Sequence, residues 1–479
     1  MSGEAAWEMV IGLEVHCELA TATKLFCGCR NAFGDEPNVN VCPVCLGLPG
    51  SLPVLNAFAV ELAMRIGTAL HCEIRPSTFA RKNYFYPDQA KDYQISQYDQ
   101  PINTGGWLEL PDGSRVGVTR AHMEEDTGKL THVGAGGRIN SAHHALVDYN
   151  RSGVPLVEIV SEPDIRSAGQ AKAYAAELRG ILVATGASDG RMEEGSMRVD
   201  ANVSVRSFGT DSFGTRCEIK NLNSLRSLGR GIDYEAARQI ALIESGERVV
   251  LETRHWDESA GRTESMRSKE EANDYRYFPE PDLVPLVPDA AWRERVRAGL
   301  GPMPADRRSA LVAALGGSAS EAEADQIRAV VDLGLDELVR AAVDGGAPAP
   351  LALARAANEV AAQSDAGLVL TPESFAALLA LESGGQLSAT QSKAVLGLLL
   401  ERGGGDPSAV AEELGYEALG ADFLAGVVAE VIAANPDEWA RYVAGDDKLT
   451  GLFTKEVMQA TAGKANGKEV AAELRRLRG

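Results

Sequence analysis

Near the amino terminus, acidic and imidazole side chains alternate with apolar ones in a segment that predicts a β-strand. In residues 7–19 the apolar side chains fall on one face, whereas Glu14 and His16 share the other, because strand side chains alternate with period two. Glu14 and His16 are therefore neighbours about 7 Å apart along the strand. A carboxylate beside an imidazole suits a divalent cation. An ordinary half-exposed strand is the alternative that this segment alone leaves open.

Two more strand-like segments carry carboxylates where a charged pocket would need them. Glu124 and Glu125 are adjacent near the end of an alternating segment, so they must point to opposite faces if the strand continues through them. Glu158 lies inside the otherwise apolar residues 155–160, and a carboxylate there is costly unless it is paired or bound to a metal. Glu158 is therefore a better site candidate than a surface glutamate.

A fourth segment, residues 197–206, has a continuous polar face that includes Arg198 and Asp200. A sheet that adds these side chains to glutamate and histidine from other strands forms an open cradle for a charged ligand. For any single strand, a face exposed to solvent is the more common arrangement. The prediction of a cradle therefore depends on the four segments together.

Four cysteines form the most specific local pattern in the chain. They are arranged as C-x-C and C-x-x-C within nineteen residues, at Cys27, Cys29, Cys42 and Cys45. Two close pairs of thiolates suit a tetrahedral zinc ion with no open coordination position, which would be structural rather than catalytic. Four buried or redox-active cysteines are the alternative.

Two basic, aromatic segments that end in proline, residues 81–88 and 274–282, resemble each other in composition. Aromatic rings beside Lys or Arg can stack on a base and hold a phosphate, although aromatic packing at the end of a strand is the alternative. The chain contains neither a G-x-x-x-x-G-K-[ST] loop nor a G-x-G-x-x-G that opens a helix. If the protein uses ATP, Mg²⁺ held by carboxylates must do much of the phosphate binding.

Length and composition indicate a folded protein of several domains. The chain has 479 residues, of which 45% are hydrophobic and 24% are charged, and its formal net charge is −21. This charge excludes nucleic-acid binding through bulk positive charge, because phosphate affinity comes mostly from Lys and Arg. The longest apolar run is far shorter than the ~20 residues of a membrane span. With no secretory signal visible, we predict a cytoplasmic protein that does not contact membranes.

The chain changes character near residue 290, which predicts an α+β protein with three domains. Residues 1–290 contain every Cys and His and are rich in strand-like segments, whereas residues 291–405 and 406–479 have helical spacing and are separated by a Gly/Pro-rich break. The last stretch is basic on an otherwise acidic chain. It suits a phosphate-contacting patch, and a solvated terminal helix fits equally well.

Taken in order, the motifs closely resemble the B-subunit family of the bacterial aspartyl/glutamyl-tRNA amidotransferases. They cover about residues 8–288 and read VIGLEVHCEL, C-x-C…C-x-x-C, RKNYFYPD, YQISQYDQPI, HMEEDTGK, PLVEIVSEPDIRS, MEEGSMRVDANVS, IKNLNS and DYRYFPEPDL. The helical remainder is similar through LTPESFAALLALESG, TQSKAVL and TAGKANGKEV.

The resemblance implies an architecture and an activity. We expect a β-rich cradle like that of glutamine synthetase, a helical linker domain and a YqeY-like helical tail that contacts tRNA. We also expect a heterotrimer with an amidase-type glutaminase, the A subunit, and with a small C subunit. In it, ATP phosphorylates the side-chain carboxylate of misacylated Glu-tRNA(Gln) or Asp-tRNA(Asn), and ammonia channelled from the glutaminase displaces the phosphate.

The resemblance also implies roles for particular residues. Those expected to bind Mg²⁺ are Glu14, His16, Glu125 and Glu158. Those expected at catalytic positions of the pocket are Lys82, Glu124, Arg198 and Asp200, and the structural zinc would be bound by Cys27, Cys29, Cys42 and Cys45. Those expected to contact tRNA are Lys455, Lys464, Lys468, Arg475 and Arg476.

Two other hypotheses explain parts of the sequence. A zinc-bearing RNA-binding subunit without chemistry of its own would account for the cysteines and the basic end, but it gives no role to Glu158 or to Glu14 and His16. A self-sufficient glutaminase is disfavoured, because neither an amidase-type Gly/Ser-rich nucleophile segment nor an amino-terminal Cys is visible. The sequence leaves open whether Asp-tRNA(Asn), Glu-tRNA(Gln) or both are substrates.

Overall fold

The computed structural model describes most of the chain, which divides into two compact units. The described residues are 7–134, 142–268, 275–363, 370–416, 421–461, 465 and 467–478. The units are Met1–Met303, which is rich in strands, and Pro304–Gly479, in which every regular element described is helical. The predicted α+β class is thereby confirmed.

The first unit contains fourteen strands among the described residues. In chain order they are β1 (Trp7–Glu18), β2 (Glu73–Ile74), β3 (Ala80–Asn83), β4 (Tyr93–Ser96), β5 (Asn103–Glu109), β6 (Arg115–Glu125), β7 (Lys129–Gly134), β8 (Ala142–Asp148), β9 (Pro155–Ser161), β10 (Met197–Ser207), β11 (Cys217–Leu222), β12 (Glu252–Asp257), β13 (Arg262–Ser268) and β14 (Phe278–Pro279).

Twelve of these strands form one large sheet, in the order β13-β12-β11-β10-β1-β9-β6-β4-β3-β14. β5 adds to β6 and β2 adds to β5, whereas β7 and β8 pair separately. The pairing of β11 with β12 is parallel, and the other pairings between described strands of this sheet are antiparallel. Strands β10, β1, β9 and β6 are adjacent in the middle of the sheet, so side chains from distant parts of the sequence meet there.

Four helices of the first unit share a hydrophobic core with the sheet. They are α1 (Ala57–Ala69), α2 (Ala168–Ala184), α3 (Leu225–Glu244) and α4 (Ala290–Ala298). Asn56, Ser167 and Ser224 cap the amino termini of the first three with their side chains, which satisfies backbone N–H groups that have no partner within a helix. Leu62 of α1 and Leu178 of α2 are fully buried in this core.

Strand β1 follows the alternation predicted from its sequence. Ile11, Leu13 and Val15 are fully buried in the core, whereas Glu14 and His16 are only partly buried and point to the other face of the sheet. The helices therefore cover the apolar face, and the opposite face carries the polar side chains of the predicted cradle.

The second unit is helical in its described parts. Its α-helices are α5 (Pro304–Ala314), α6 (Glu321–Asp332), α7 (Asp336–Asp344), α8 (Ala349–Arg355), α9 (Pro372–Ser383), α10 (Ala389–Arg402), α11 (Pro407–Glu413), α12 (Ala421–Ala434), α13 (Pro436–Val443), α14 (Leu449–Ala460) and α15 (Gly467–Arg478). A π-helical turn, Ala356–Val360, follows α8. None of the helices described in either unit is long and apolar enough to cross a membrane.

Two hydrophobic clusters stabilise the second unit. The first extends from Leu311 of α5 to Val410 and Ala411 of α11, and the second extends from Leu424 of α12 to Leu474 of α15. The first cluster therefore includes α11, beyond the predicted domain boundary at residue 405. The predicted division into linker and tail domains stays a prediction.

Candidate functional site

A β-bulge in β6 determines which of its side chains reach the cradle. Val118 and Arg120 are separated by one residue, but their partners on β9 are adjacent, so the extra residue reverses the alternation. Val118 lies in the hydrophobic core, whereas Arg120, His122 and Glu124 all line a cavity on the opposite face. The bulge thus moves the even-numbered side chains of β6 from the core face of the sheet to the cavity face.

The register of four adjacent strands aligns charged side chains in one row. His16 of β1 pairs with Arg198 of β10 on one side and with Glu158 of β9 on the other. Glu158 in turn pairs with His122 of β6. Glu14 belongs to the next row, opposite Asp200 of β10. Residues that are far apart in the sequence therefore lie side by side across the sheet.

His16, Glu124 and Glu158 form a compact group of possible metal ligands. The His16 Nε2 atom lies 3.5 Å from Glu158 Oε2 and 3.9 Å from Glu124 Oε1. One donor atom from each of the three residues lies within 4.8 Å of the others. A single cation can therefore contact all three side chains.

His16 and Glu158 form a charged pair. Burial lowers the pKa of His16, but the hydrogen bond and charge of Glu158 outweigh it and raise this pKa to about 9. Burial alone would raise the pKa of Glu158, yet the hydrogen bond with His16 and the proximity of His122 hold it well below its usual range. Without a bound cation, the pair therefore places an imidazolium beside a carboxylate at neutral pH, and a metal ion bound by His16 would take the place of that proton.

Glu124 and His122 are shifted toward their neutral forms. Burial, with help from the charge of Glu158, raises the pKa of Glu124 to about 7, and burial lowers the pKa of His122 to about 4. Arg120 Nε donates to His122 Nδ1 at 3.4 Å, so the proton of the neutral ring lies on Nε2. This Nε2 atom is 3.5 Å from Glu158 Oε2, where it orients the carboxylate.

Glu125 lies on the other side of β6, away from the group formed by His16, Glu124 and Glu158, and its predicted role as a magnesium ligand stays a prediction. It is only 2% exposed, and its carboxylate is paired with Lys91. The same carboxylate accepts a hydrogen bond from the backbone N–H of Ile95 at 2.9 Å. Because adjacent strand residues point to opposite faces, Glu124 rather than Glu125 joins His16 and Glu158.

The remaining predicted residues differ in how they reach the cavity. Glu14 and Lys82 line it directly, and Glu14 accepts a hydrogen bond from Asn202 at 2.8 Å. Arg198 is absent from the lining residues, and its Nη2 atom donates to Asp126 Oδ2 at 2.7 Å. Asp200 is also absent from the lining, and its carboxylate is bound by a lysine of β11.

The cavity is large enough for a nucleotide and part of a second substrate. Its volume is about 1000 Å³. Its polar lining includes Lys220 and Glu218 of β11 and His122 and Arg120 of β6, which were not among the predicted site residues. His122 could have been found in HMEEDTGK, since it lies two residues before Glu124. Lys220 lies in the motif IKNLNS, where nothing in the local sequence marks it as a pocket residue.

The four cysteines converge on one point, as expected for a metal site. Cys45 Sγ lies 3.4 Å from Cys27 Sγ, 3.6 Å from Cys42 Sγ and 3.7 Å from Cys29 Sγ. All four sulfur atoms lie within 4.8 Å of one another. The arrangement is a possible four-cysteine metal site.

A buried lysine stabilises the thiolate of Cys45. Lys24 is fully buried, and its Nζ atom lies 3.6 Å from Cys45 Sγ and donates to the carbonyl oxygen of Asn40 at 2.7 Å. A hydrogen bond from Cys27, together with the charge of Lys24, lowers the pKa of Cys45 to about 4 despite burial. A thiolate, rather than a thiol, is the form that binds metal.

The basic residues predicted to contact tRNA lie at the end of the chain. Lys455, Arg475 and Arg476 are exposed on α14 and α15, and Arg476 is paired with Glu473. Lys464 lies outside the described residues, as does the side chain of Lys468.

The sequence that forms the sheet and the cradle matches a known class of catalytic domain. Residues 9–294 match the family model described as the GatB/GatE catalytic domain. Residues 349–477 match the family model described as the GatB domain. The first match alone covers more than half of the chain and contains every residue of the cradle.

Full-length relatives narrow the class to one family. The chain is similar to the B subunit of aspartyl/glutamyl-tRNA(Asn/Gln) amidotransferase from Frankia casuarinae, with 51% identity over 99% of this chain and 95% of the relative. The proteins of the same name from Moorella thermoacetica and Gloeobacter violaceus are 49% and 48% identical over 96% of this chain, and over 97% and 84% of their own lengths. The chain therefore belongs to the B-subunit family of the aspartyl/glutamyl-tRNA(Asn/Gln) amidotransferases, which confirms the resemblance predicted from its motifs.

Proposed function

We propose that this chain is the subunit of a glutamine-dependent carbon–nitrogen ligase that carries out transamidation on misacylated tRNA. The side-chain carboxylate of tRNA-bound Glu or Asp attacks the γ-phosphoryl group of ATP, and ADP leaves. Ammonia then attacks the acyl phosphate, forming the amide and releasing phosphate and a proton. The observation that carries this proposal is the convergence of His16, Glu124 and Glu158 in one cavity of a domain matched by the family's catalytic model.

The chemistry of the donor group fits magnesium. Two carboxylates and one imidazole offer oxygen-rich, partly charged ligands, and Glu14 lines the same cavity. When bound, Mg²⁺ would offset the charge of the phosphates and align the γ-phosphoryl group. We propose His16, Glu124 and Glu158 as its protein ligands.

Lysines of the chain supply the fixed positive charge that the transferred phosphoryl group needs. Lys82 lines the cavity and would stabilise negative charge that develops on this group. Lys220 lines it too and is paired with both Asp200 and Glu218. These two carboxylates hold the ammonium group of Lys220 in place, so its orientation does not have to change during the reaction.

In this proposal, Arg198 and Asp200 do not line the cavity and act through neighbouring residues. Arg198 lies directly beside His16 across β1 and β10 and is bound to Asp126, which makes it a positioning residue rather than a contact for phosphate. The predicted role of Asp200, to orient ammonia or accept its proton, remains a prediction. In the structure its carboxylate is paired with Lys220.

The four cysteines fit a structural zinc ion. Four sulfur atoms placed tetrahedrally at the usual Zn–S distance would be about 3.8 Å apart. Cys45 Sγ lies 3.4–3.7 Å from the other three. We propose that Cys27, Cys29, Cys42 and Cys45 bind zinc, with all four positions taken and therefore no catalytic role.

The designation of the relatives as B subunits supports an assembly. We propose that this chain works in the cytoplasm with a glutaminase A subunit and a small C subunit, and that its cradle resembles glutamine synthetase. The match of residues 349–477 to the GatB domain supports a helical linker and a YqeY-like, tRNA-binding tail. The tail residues proposed to contact tRNA are Lys455, Lys464, Lys468, Arg475 and Arg476.

Amidation by the assembled complex tests the proposal. The complex should convert Glu-tRNA(Gln), Asp-tRNA(Asn) or both to the amidated forms with glutamine and ATP. His16→Ala and Glu158→Gln should each reduce this rate by about a hundredfold or more, whereas Glu109→Gln, an exposed control, should not. Normal amidation by both variants would refute the site. If the wild-type complex shows no ATP turnover dependent on the aminoacyl group, the chain is instead an RNA-binding subunit.

A further inference from the structure

A group of aromatic side chains forms one wall of the cavity and has no role in the carboxylate chemistry. We call it the aromatic wall, and it consists of Tyr84, Phe85, Tyr86, Tyr98, Tyr275 and Tyr277. Strand β3 brings its three segments together, because β3 pairs with β4 on one side and with β14 on the other. The two aromatic motifs of the sequence thus meet at a single place.

Within the aromatic wall, Tyr98 and Tyr277 form a flat platform. Their ring centroids are 3.9 Å apart and their planes differ by 7°. Tyr98 remains 55% exposed, so Tyr277 supports one face of its ring while much of the ring stays accessible. Such an arrangement holds an aromatic surface rigid before any ligand arrives, which reduces the entropy lost on binding.

The platform lies close to the phosphate-binding part of the cavity. Tyr98 comes two residues after Ser96, which pairs with Glu124 across β4 and β6. Lys82 Nζ lies 4.8 Å from the centroid of the Tyr275 ring, so a cation stands directly beside the aromatic wall. A planar group linked to a phosphate would find a stacking surface and a positive charge next to each other.

We propose that the aromatic wall binds an adenine base, with the Tyr98–Tyr277 platform as its stacking surface and Lys82 facing the phosphate of the same nucleotide. This inference rests on the proposed function, in which both large substrates carry adenine: ATP has it as its base, and a tRNA ends in adenosine. Every base has a π-face, so stacking on tyrosine supplies affinity without an extended hydrogen-bond pattern. The exposed Phe85 of the same wall, 77% accessible, offers a further surface for the base.

Binding measurements on the assembled complex separate the two sources of adenine. In the first arm, the Kd of ATP is compared with that of ribose 5-triphosphate, which lacks the base. In the second arm, the Kd of a tRNA is compared with that of the same tRNA carrying an abasic 3′-terminal nucleotide. For the wild-type complex, the Kd of the ligand that carries the base should be about five- to hundredfold lower than that of the ligand without it, in at least one arm.

Two variants of Tyr98 test whether the platform causes this preference. Tyr98→Phe keeps the ring and should keep the preference, whereas Tyr98→Leu keeps the bulk without the ring and should lose it. If Tyr98→Leu loses the base preference only in the first arm, the platform binds ATP, and if only in the second arm, it binds the tRNA terminus. If the preference is lost in both arms, the platform binds both ligands at different stages of the reaction. An unchanged preference in Tyr98→Leu in both arms, or no base preference in wild type, overturns the inference.

Photolabelling of the wild-type complex avoids any dependence on a variant that folds poorly. 8-Azido-ATP and a tRNA ending in 8-azidoadenosine should label peptides from the aromatic wall, and labelling confined to other segments contradicts the proposal. These readouts do not require turnover. A complex that fails to amidate tRNA but still shows the base preference would refute the proposed function and leave the adenine site standing.

Discussion

At the scale of single residues, the cradle depends on two adjacent carboxylates that face in opposite directions. Glu124 shares a possible cation with His16 and Glu158, whereas Glu125 is buried against Lys91. Both are deeply buried, so accessibility does not distinguish them. Their neighbouring side chains distinguish them. Removing the charge of Glu124 should therefore have a different kind of effect from removing the charge of Glu125.

Exchanging each of these carboxylates for an amide separates their roles. Glu124→Gln removes a cation ligand and should lower the amidation rate by about a hundredfold or more, with little change in stability. Glu125→Gln leaves the buried charge of Lys91 unpaired and should lower the free energy of unfolding by about 3 kcal/mol. Steady-state amidation and urea denaturation measure the two effects. Equal stability of the two variants would contradict this division.

His122 is expected to act on the metal site without binding metal. Its neutral ring orients Glu158 through Nε2, and loss of such a partner of a ligand costs about 10–100-fold in metal affinity. In His122→Asn, the Mg²⁺ concentration for half-maximal amidation should rise by this factor. His132→Asn on β7 serves as the control. A lower rate with an unchanged Mg²⁺ dependence would assign His122 another role.

Two residues of the cradle, His16 and Glu158, could be recognised from the pattern of their own strands. The alternation in β1 identified His16, and the cost of an isolated charge in an apolar run identified Glu158. The sequence could not decide between Glu124 and Glu125, because period-two alternation says only that they differ. Lys220 was missed because its significance comes largely from Asp200 of β10, which only the pairing of β10 with β11 brings beside Lys220 and Glu218.

At the scale of elements, the bulge in β6 shows a feature that local patterns do not predict. Val116 and Val118 share a period with His122 and Glu124, so an unbroken strand would place all four on one face. The extra residue after Val118 places the valines in the core and the other two in the cradle. Gly117 directly precedes the bulge, and a glycine inside a strand often marks one, but it does not show where the extra residue lies.

The attachment of α1 to the sheet depends on a glycine. Gly67 faces Asn103 of β5, and a Cβ at this position would lie 2.0 Å from Asn103 Oδ1. Asn103 is itself fixed by hydrogen bonds to the carbonyl oxygens of Ala63 and Ala121, at 2.9 Å and 3.1 Å. The side chain therefore ties α1 to β6 and cannot move away without breaking these bonds.

Gly67→Ala should therefore destabilise the first unit although alanine favours helices. The gain in helix propensity is about 1 kcal/mol. The expected overpacking costs about 1–3 kcal/mol, and each lost hydrogen bond of Asn103 costs about 1 kcal/mol more. Gly169→Ala in α2 is the control, since its nearest contact is 3.6 Å away, and it should be neutral or stabilising. Thermal unfolding of both variants measures the difference, and a stabilised Gly67→Ala would refute the close contact.

At the scale of the whole molecule, composition and packing mark different boundaries. The change from strands to helices at residue 290 follows composition, but Val296 of α4 packs in the core of the first unit, and the compact unit ends at Met303. The shift in composition marks where the strands end, whereas the domain extends as far as its side chains still pack in the same core. Amphipathic spacing in α4 alone does not say which core it joins.

The uneven distribution of charge leads to the last prediction. The chain carries a net charge of −21, so the acidic body should repel tRNA, and affinity should come from the basic end of the chain. Changing Lys455, Arg475 and Arg476 to Gln should raise the KM for tRNA and should reduce the slope of log K against log[salt] by about two to three. The KM for ATP should stay the same, because these residues belong to the second unit and the cavity to the first.

A matched triple variant tests whether position rather than charge is responsible. Arg75, Arg262 and Arg297 are exposed residues of the first unit that are paired with acidic neighbours, and changing them to Gln alters the net charge by the same amount. If tRNA binds through the tail, this control should shift the KM for tRNA far less than the tail variant and should leave the salt slope near its wild-type value. Equal shifts in the two variants would mean that tRNA responds to the overall charge of the molecule, and the tail would lose its proposed role.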